Sequence, residues 1–537
     1  WNSAFRWKPP LDLTIDFLLK FNKEKNLNKE VYINNNKYIV ATLFVKLWKN
    51  NIHKKMMAYT LINDGLNFNN YLEDFVFSPI YPYNGYFNNL LKRLHDNTSQ
   101  IYLLVDKNGK IKCENNEIIT DGNTIECYYN KDRKDEELRW VPKKIRIGKI
   151  QNAYITACRT WKLINNPITN NIITNKEDIV NNDLYYNNQS SKDTESMRKF
   201  NNFVKSYIIE TSTKSIKGKI KVLDFGCGKM GDFFKYYNNN VNSILGIDIS
   251  PNNILNEHNG AMVRLIENYE KNKKMKELID NTIIIIGDCT KKISSGETTS
   301  DSLNKYYIDI LYGRIKPSKG KLVNMFNSGV NGFNLIVSNF MIHYMFDTEK
   351  TLDTFFDNIY ENLNDKGFFI GTCLDGNEIL KVLGRQNRIE GFQHSSDVFN
   401  NKNKSVQKEK LVKSKNIKSK SVKSINNKLI WSIENIDKIK LLNNSKIGQK
   451  IKVYIDTFIE PFSENLIDFD YLVDEFKKYN IKLIDSKLFI DEQNNLFNKF
   501  KTKNKDFYNN INKHPDIKQW IKFQRWFIFQ KDMNMKK

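Results

Sequence analysis

Between residues 196 and 385, short apolar stretches alternate with helical patterns, and this alternation restricts the fold more than any other feature. The stretches are Lys221–Phe225, Ile244–Ile249, Ile283–Gly287, Leu335–Ser338 and Phe368–Thr372. Strands that are apolar throughout must be buried on both faces, and the intervening helices must supply the cover. The pattern predicts an α/β domain built on a parallel sheet with crossover helices. Residues 1–155 are patterned differently. Runs such as Tyr38–Val45 and Ile101–Val105 are broken by Asn-Asp-Gly and Lys-Asn-Gly turns, which predicts a small β barrel or sandwich. Residues 156–195 are rich in Asn, Asp and Ser and predict a linker, leaving 196–537 as the second domain. Within it, residues 400–428 are almost all Lys, Ser and Asn and predict a disordered insertion, since strand patterns resume at Leu429.

The charge balance bears on partners. Lys and Arg number 84 against 61 Asp and Glu, a net charge of +23. An AT-rich coding sequence, which favours Asn, Lys, Ile, Tyr and Phe, accounts for part of it. The rest suits a nucleic-acid partner whose phosphates are neutralised by cations. No apolar run approaches the roughly 20 residues of a membrane span. Six cysteines without a CxxC pair exclude a disulfide scaffold, predict no metal site and point to a reducing compartment. The chain starts at Trp1 without an initiator Met, so a piece of a longer protein is expected.

The most informative segment is Val222-Leu223-Asp224-Phe225-Gly226-Cys227-Gly228-Lys229, a strand entering a glycine turn ahead of a helix near Asp232–Tyr237. Glycines there let backbone approach a ligand closely. The next strand ends in Gly246-Ile247-Asp248, where an acidic group suits ribose hydroxyls; a third ends in Gly287-Asp288, where a carboxylate can accept from the amine of adenine. Three strand ends define one crevice. A dinucleotide site would aim a helix N-terminus at pyrophosphate. Asp224, directly before Gly226 and Gly228, would repel a diphosphate and attract the ammonium and sulfonium of S-adenosylmethionine, which favours a methyltransferase over a dehydrogenase.

With Arg198-Lys199-Phe200-Asn201-Asn202-Phe203-Val204-Lys205, LDFGCGKMGDFFKYY, the run Phe333–Tyr344, Gly367–Thr372 with Asp375-Gly376, and Pro461–Leu466, the sequence resembles the mRNA cap guanine-N7 methyltransferases over about 196–535. That resemblance implies a Rossmann-like class I AdoMet-dependent methyltransferase fold and S-adenosylmethionine as cofactor. It implies that Lys205, Asp224, Gly226, Gly228, Asp248, Asp288, Asn339 and Tyr344 hold the cofactor. It implies that Asn201, Asn202, Lys229, Lys235, Arg264, His343, Tyr344 and Glu464 contact the cap and RNA, with no catalytic base. Gln524 stands where the family has a cap-stacking tyrosine, with Phe523 and Trp526 as substitutes.

Phe5-Arg6-Trp7-Lys8-Pro9 and Arg139–Arg146 are similar to the closing motifs of mRNA guanylyltransferases and their OB-fold, which gives Arg6, Lys8, Arg146 and Lys149 as phosphate-motif residues. No K-x-D-G occurs in the chain, so guanylyl transfer is not expected from these residues. The implied parent is a multifunctional capping enzyme of a large cytoplasmic DNA virus, cut just before the OB-fold. The expected partner is the capped 5′ end of mRNA, with room for a stimulatory protein subunit. The expected location is the cytoplasmic replication site, with packaging in the virion allowed. Other RNA or small-molecule methyltransferases, and a non-catalytic RNA-binding or stimulatory module, remain alternatives. Taken singly, His343 could be a satisfied core histidine, Glu464 a solvated loop carboxylate, and Lys229 and Lys235 ordinary surface lysines.

Overall fold

The computed structural model describes residues 12–46, 74–77, 99–165, 194–256, 258–317, 321–393, 428–436, 446–458, 460–491 and 496–533. Arg6, Lys8 and the Lys-rich stretch through 427 lie outside the described residues. The chain divides into two compact units that interleave in sequence: Trp1–Asp183 with Lys221–Gly332, and Leu184–Ile220 with Phe333–Lys537.

The first unit opens with an antiparallel sheet of β1 (Thr14–Phe21), β2 (Glu30–Ile33), β3 (Asn36–Lys46), β4 (Asp74–Val76), β5 (Gln100–Leu104), β6 (Thr124–Tyr129) and β7 (Trp140–Ile145). The order is β2-β3-β1-β6-β7, with β4 and β5 also paired to β3. Alternation along β1 buries Ile15, Phe17 and Leu19 completely, and Phe17 packs edge-on against Trp140 at 5.0 Å. The linker expected from residue 156 is corrected here. Helix α1 (Tyr154–Asn165) buries Ala157, Cys158, Trp161 and Ile164, a helical spacing masked in the sequence by the Asn-rich stretch that follows. Glu195 already opens α2 (Glu195–Lys214), which belongs to the second unit.

The first unit continues with β8 (Ile220–Phe225), α3 (Phe233–Asn238), β9 (Val241–Asp248), α4 (Pro251–Leu255), α5 (Ala261–Lys271) and β10 (Thr282–Ile286). The strands lie in the order β10-β9-β8, with β9 and β10 parallel. Val222, Leu223 and Phe225 are fully buried, as strands covered on both faces require.

The second unit carries β11 (Phe333–Asn339), α6 (Glu349–Asn362), β12 (Leu363–Leu374), α7 (Gly376–Leu383), β13 (Arg388–Gln393), β14 (Lys428–Asn435), β15 (Lys450–Ile455), β16 (Phe462–Asn465), α8 (Phe469–Lys478), β17 (Ile481–Leu488), α9 (Leu496–Lys503), α10 (Lys505–Lys513), α11 (Pro515–Lys522) and β18 (Gln524–Lys531). Its main strands run β11-β12-β18-β17; β11 and β12 are parallel, whereas β18 is antiparallel to both neighbours. The five strands expected between 196 and 385 are all present. Sequence alternation does not reveal the antiparallel pair or the separate four-stranded sheet β13-β14-β15-β16. Among the described residues no helix is long and apolar enough to cross a membrane.

Candidate functional site

In the first unit the turn after β8 is fastened beside the acidic ends of the strands. Gly226 and Gly228 have φ of +67° and +54°, a backbone region that side chains disfavour, which accounts for glycine at both. The amides of Gly226 and Cys227 donate to the Ile247 carbonyl, at 2.8 and 3.0 Å, fastening the turn to β9. Gly228 N–H donates to Asp248 Oδ2 at 2.8 Å. The other oxygen of Asp248 accepts from Ser250 N at 2.9 Å and Asn253 Nδ2 at 3.2 Å. Burial raises the Asp248 pKa, and these three donors oppose the rise. A carboxylate has about four acceptor positions. Three are taken, so Asp248 suits one strong ribose hydrogen bond more readily than the two that spacing suggests.

Asp224 is buried and accepts from the hydroxyl of Tyr236 on α3 at 2.8 Å. Sequence reasoning missed Tyr236. The available signal was its position three residues after Phe233, which puts both rings on the buried face of α3. Asp288 Oδ1 closes a local turn, accepting from Thr290 N at 2.9 Å and Thr290 Oγ1 at 2.6 Å, while Oδ2 stands 3.8 Å from Lys291 Nζ. The carboxylates and the glycine turn form a donor and acceptor set that fits the amino acid, ribose and adenine of S-adenosylmethionine. Gly228 has open space where a side chain would stand, which leaves the cradle clear.

Two of the three cations expected at the cap and RNA come together. Arg264 Nη1 donates to the Lys229 carbonyl at 3.4 Å, and Lys229 Nζ donates to Asn259 Oδ1 at 2.8 Å. Burial lowers the pKa of both, and the Arg264 charge lowers that of Lys229 further. Adjacent half-buried cations that disfavour their own charge suit an anion. Lys235 does not join them, because it forms a nearly buried ion pair with Asp232 at 2.7 Å.

The second unit holds the other residues. On α2, Asn201 has a buried Oδ1 with no hydrogen-bond partner in the protein, Asn202 is exposed, and Lys205 Nζ lies 5.8 Å from the centre of the Phe340 ring. Phe340 follows β11 with φ of +56°, a strained value for a bulky residue. Its amide donates to the Thr372 carbonyl at 2.8 Å, and Thr372 Oγ1 donates to Asn339 Oδ1 at 3.2 Å.

His343 and Tyr344 occupy a short 3-10 turn, Ile342–Asp347. Their rings lie 4.0 Å apart, tilted by 46°; Tyr344 is 44% exposed, His343 only 7%. His343 Nδ1 is 3.9 Å from Glu464 Oε2 on β16, too long for a hydrogen bond, and its Nε2 is buried without a partner. Asn465 Nδ2, which sequence reasoning also missed, fixes the turn by donating to the His343 carbonyl at 3.0 Å. Burial pushes Glu464 up to about 7 and His343 down to about 3. Glu464 is thus a buried strand carboxylate, not a solvated loop group, and His343 is not a satisfied core histidine. The cluster presents an acceptor, an unsatisfied ring nitrogen and a solvent-facing aromatic ring, the requirements of a planar base with N–H edges.

Other expected residues are committed elsewhere. Phe523 and Trp526 are 3% and 1% exposed, so neither offers an accessible ring in place of the stacking tyrosine; Gln524 is buried with an unpartnered Oε1. Arg146 pairs across strands with Asp16 on β1 and Glu126 on β6, each at 3.2 Å, and Lys149 is exposed.

Residues 169–414 match the family model of the mRNA (guanine-N(7))-methyltransferase domain. A protein described as a probable mRNA-capping enzyme, from Acanthamoeba polyphaga mimivirus, is 28% identical, with 96% of this chain and 41% of that protein covered. The mRNA cap guanine-N(7) methyltransferase of Saccharomyces cerevisiae is 28% identical over 189 residues, 35% of this chain and 34% of that protein. The chain therefore spans less than half the length of either relative. Among solved structures, an S-adenosylmethionine-dependent methyltransferase from Clostridium acetobutylicum aligns at 9% identity and a TM-score of 0.29, covering 68% of this chain and 99% of that one, a likeness too slight to bear on the fold.

Proposed function

We propose that this chain, which carries an mRNA (guanine-N(7))-methyltransferase domain over residues 169–414, transfers the methyl group of S-adenosylmethionine to N7 of the guanine that caps mRNA. The observation that carries the reading is the buried Glu464 beside His343 and the exposed ring of Tyr344. A small-molecule methyltransferase would share the acidic strand ends of Asp224, Asp248 and Asp288 but would have no use for a guanine reader.

S-adenosylmethionine supplies an electrophilic methyl on a sulfonium. Guanine N7 carries a lone pair and no proton, so the chain needs no general base; it needs alignment and a surrounding that favours loss of the sulfonium charge. Asp224 attracts the ammonium end, with Lys205 and Asn339 at the methionine end. Asp248 orients the ribose and Asp288 the adenine amine. Glu464 accepts from guanine N1–H and N2–H, Tyr344 stacks, and Lys229 and Arg264 take the triphosphate, with Asn201 and Asn202 at the cap ribose. Residues 1–155 are read as the end of a guanylyltransferase with an OB-fold, serving as scaffold or RNA-binding surface, and 196–537 as the methyltransferase domain. Action at a cytoplasmic viral replication site, packaging in the virion and a stimulatory subunit extend the same reading.

Methyl transfer to GpppRNA tests it. Asp248→Ala is expected to abolish AdoMet binding and methylation; activity that survives unchanged overturns the cofactor assignment. Equal methylation of capped and uncapped acceptors overturns the cap assignment.

A further inference from the structure

Helices α7 and α11 of the second unit border a groove of about 430 Å³. Val382, Pro515 and Phe523 contribute its apolar lining, and Lys381, Lys518 and Lys522 its cations, with Gln519 between the last two. Lys518 and Lys522, four residues apart on α11, share one face. Glu378, which pairs with Lys381, is the one acidic residue lining the groove. The cations do not stand alone: over residues 496–533 nine Lys and Arg face three Asp.

One backbone hydrogen bond joins the two sides of this groove, and a second ties it to the chain that carries Glu464. Asp375 N–H donates to the carbonyl of Phe523 at 2.7 Å, and Gly376 N–H, at the start of α7, donates to the carbonyl of Ile467 at 3.0 Å. Ile467 is three residues beyond Glu464, at most about 11 Å along an extended chain. Lys381 is five residues into α7, roughly 7 Å further along its axis. The span from guanine reader to lysines is that of the first few nucleotides of an RNA.

Resting on the cap-methyltransferase reading, we infer that the Lys381–Lys518–Lys522 groove takes the sugar-phosphate backbone of the RNA just downstream of the cap. Lysines act as point charges on phosphates and read no sequence, which suits an acceptor whose first nucleotides vary. Phe523, the one aromatic residue lining the groove, is buried, so the groove offers no exposed ring of the kind that anchors a protein partner.

The test uses the full chain with Lys381→Ala, Lys518→Ala and Lys522→Ala combined. Affinity for a short uncapped single-stranded RNA, read by fluorescence anisotropy, is expected to fall about tenfold, and the slope of log affinity against log salt to become shallower by about two, near 0.7 per lost phosphate contact. KM for GpppRNA is expected to rise with it, while KM for the GpppG dinucleotide and the AdoMet affinity stay unchanged, the latter two also reporting an intact fold. Unchanged RNA affinity overturns the inference, and so does a GpppG KM that rises as much as that of GpppRNA. A wild-type chain that methylates neither acceptor removes the cap reading instead; the RNA affinity of the variant then still decides for or against the groove.

Discussion

Glu464 and His343 have opposite answers to the same burial. Glu464 keeps its proton to about 7, against 4.5 for an ordinary glutamate, so from 4.5 to 7 the folded chain binds the extra proton and stability falls as pH rises. His343 stays neutral down to about 3, against 6.5, so stability falls as pH drops below 6.5. Between 4.5 and 6.5 the two slopes oppose each other. Under the proposed cap reading only the glutamate matters near neutrality, because an ionised carboxylate can accept from both guanine N–H groups and a protonated one cannot. KM for GpppG is therefore expected to fall as pH is raised through 7, and Glu464→Gln to flatten that profile; a wild-type KM independent of pH between 6 and 8 counts against Glu464 as the reader. Tyr236 gives a second residue-scale expectation. Removing its hydroxyl in Tyr236→Phe leaves the buried Asp224 short of one donor, about 1–3 kcal/mol. AdoMet affinity by calorimetry should drop about tenfold with kcat little changed, whereas a purely structural role would lower both together.

Among the elements, β12 shows how sequence pattern becomes packing. Its apolar run Phe368–Thr372 announces a strand, but the glycine inside it looks like a weakness. The structure explains it: a Cβ at Gly371 would stand 2.0 Å from the Ser338 carbonyl on β11 and 2.6 Å from the Phe527 ring on β18. The strand is clamped between neighbours on both sides, and only glycine fits. Gly371→Ala should cost about 3 kcal/mol or more, read as a large loss of Tm or of soluble protein. Gly228→Ala meets no atom within 4 Å and pays backbone strain alone, about 1 kcal/mol, so its defect should lie in AdoMet binding. Near-native stability of Gly371→Ala would show that the two strands can part at this point. The three strand ends bearing Asp224, Asp248 and Asp288 were legible because parallel strands and glycine turns have local signatures. Helix α1 was not, because its apolar positions run directly into the Asn-rich stretch that follows Asn165.

On the scale of the whole molecule, the four-stranded sheet pairs stretches that lie far apart in the chain. Gln393 on β13 and Lys428 on β14 are register partners, so the residues between them leave and re-enter at one paired position. Replacing residues 395–426 by an Asn-Gly turn should therefore preserve the hairpin, with Tm and GpppG methylation as in the intact chain; loss of either would mean that the excised residues support the fold or the site. The sequence by itself determined the α/β class and the acidic strand ends, because each depends on neighbours a few positions away, whereas His343 and Glu464 stood out only through the family resemblance. Tertiary structure decided what each group can do. It withdrew Lys235 into a pair with Asp232, closed Phe523 and Trp526 to solvent, filled most of the acceptor positions of Asp248, and brought Glu464 to His343 across 121 residues of chain. Burial and long-range pairing set charge and accessibility, and neither is a property of any local stretch of sequence.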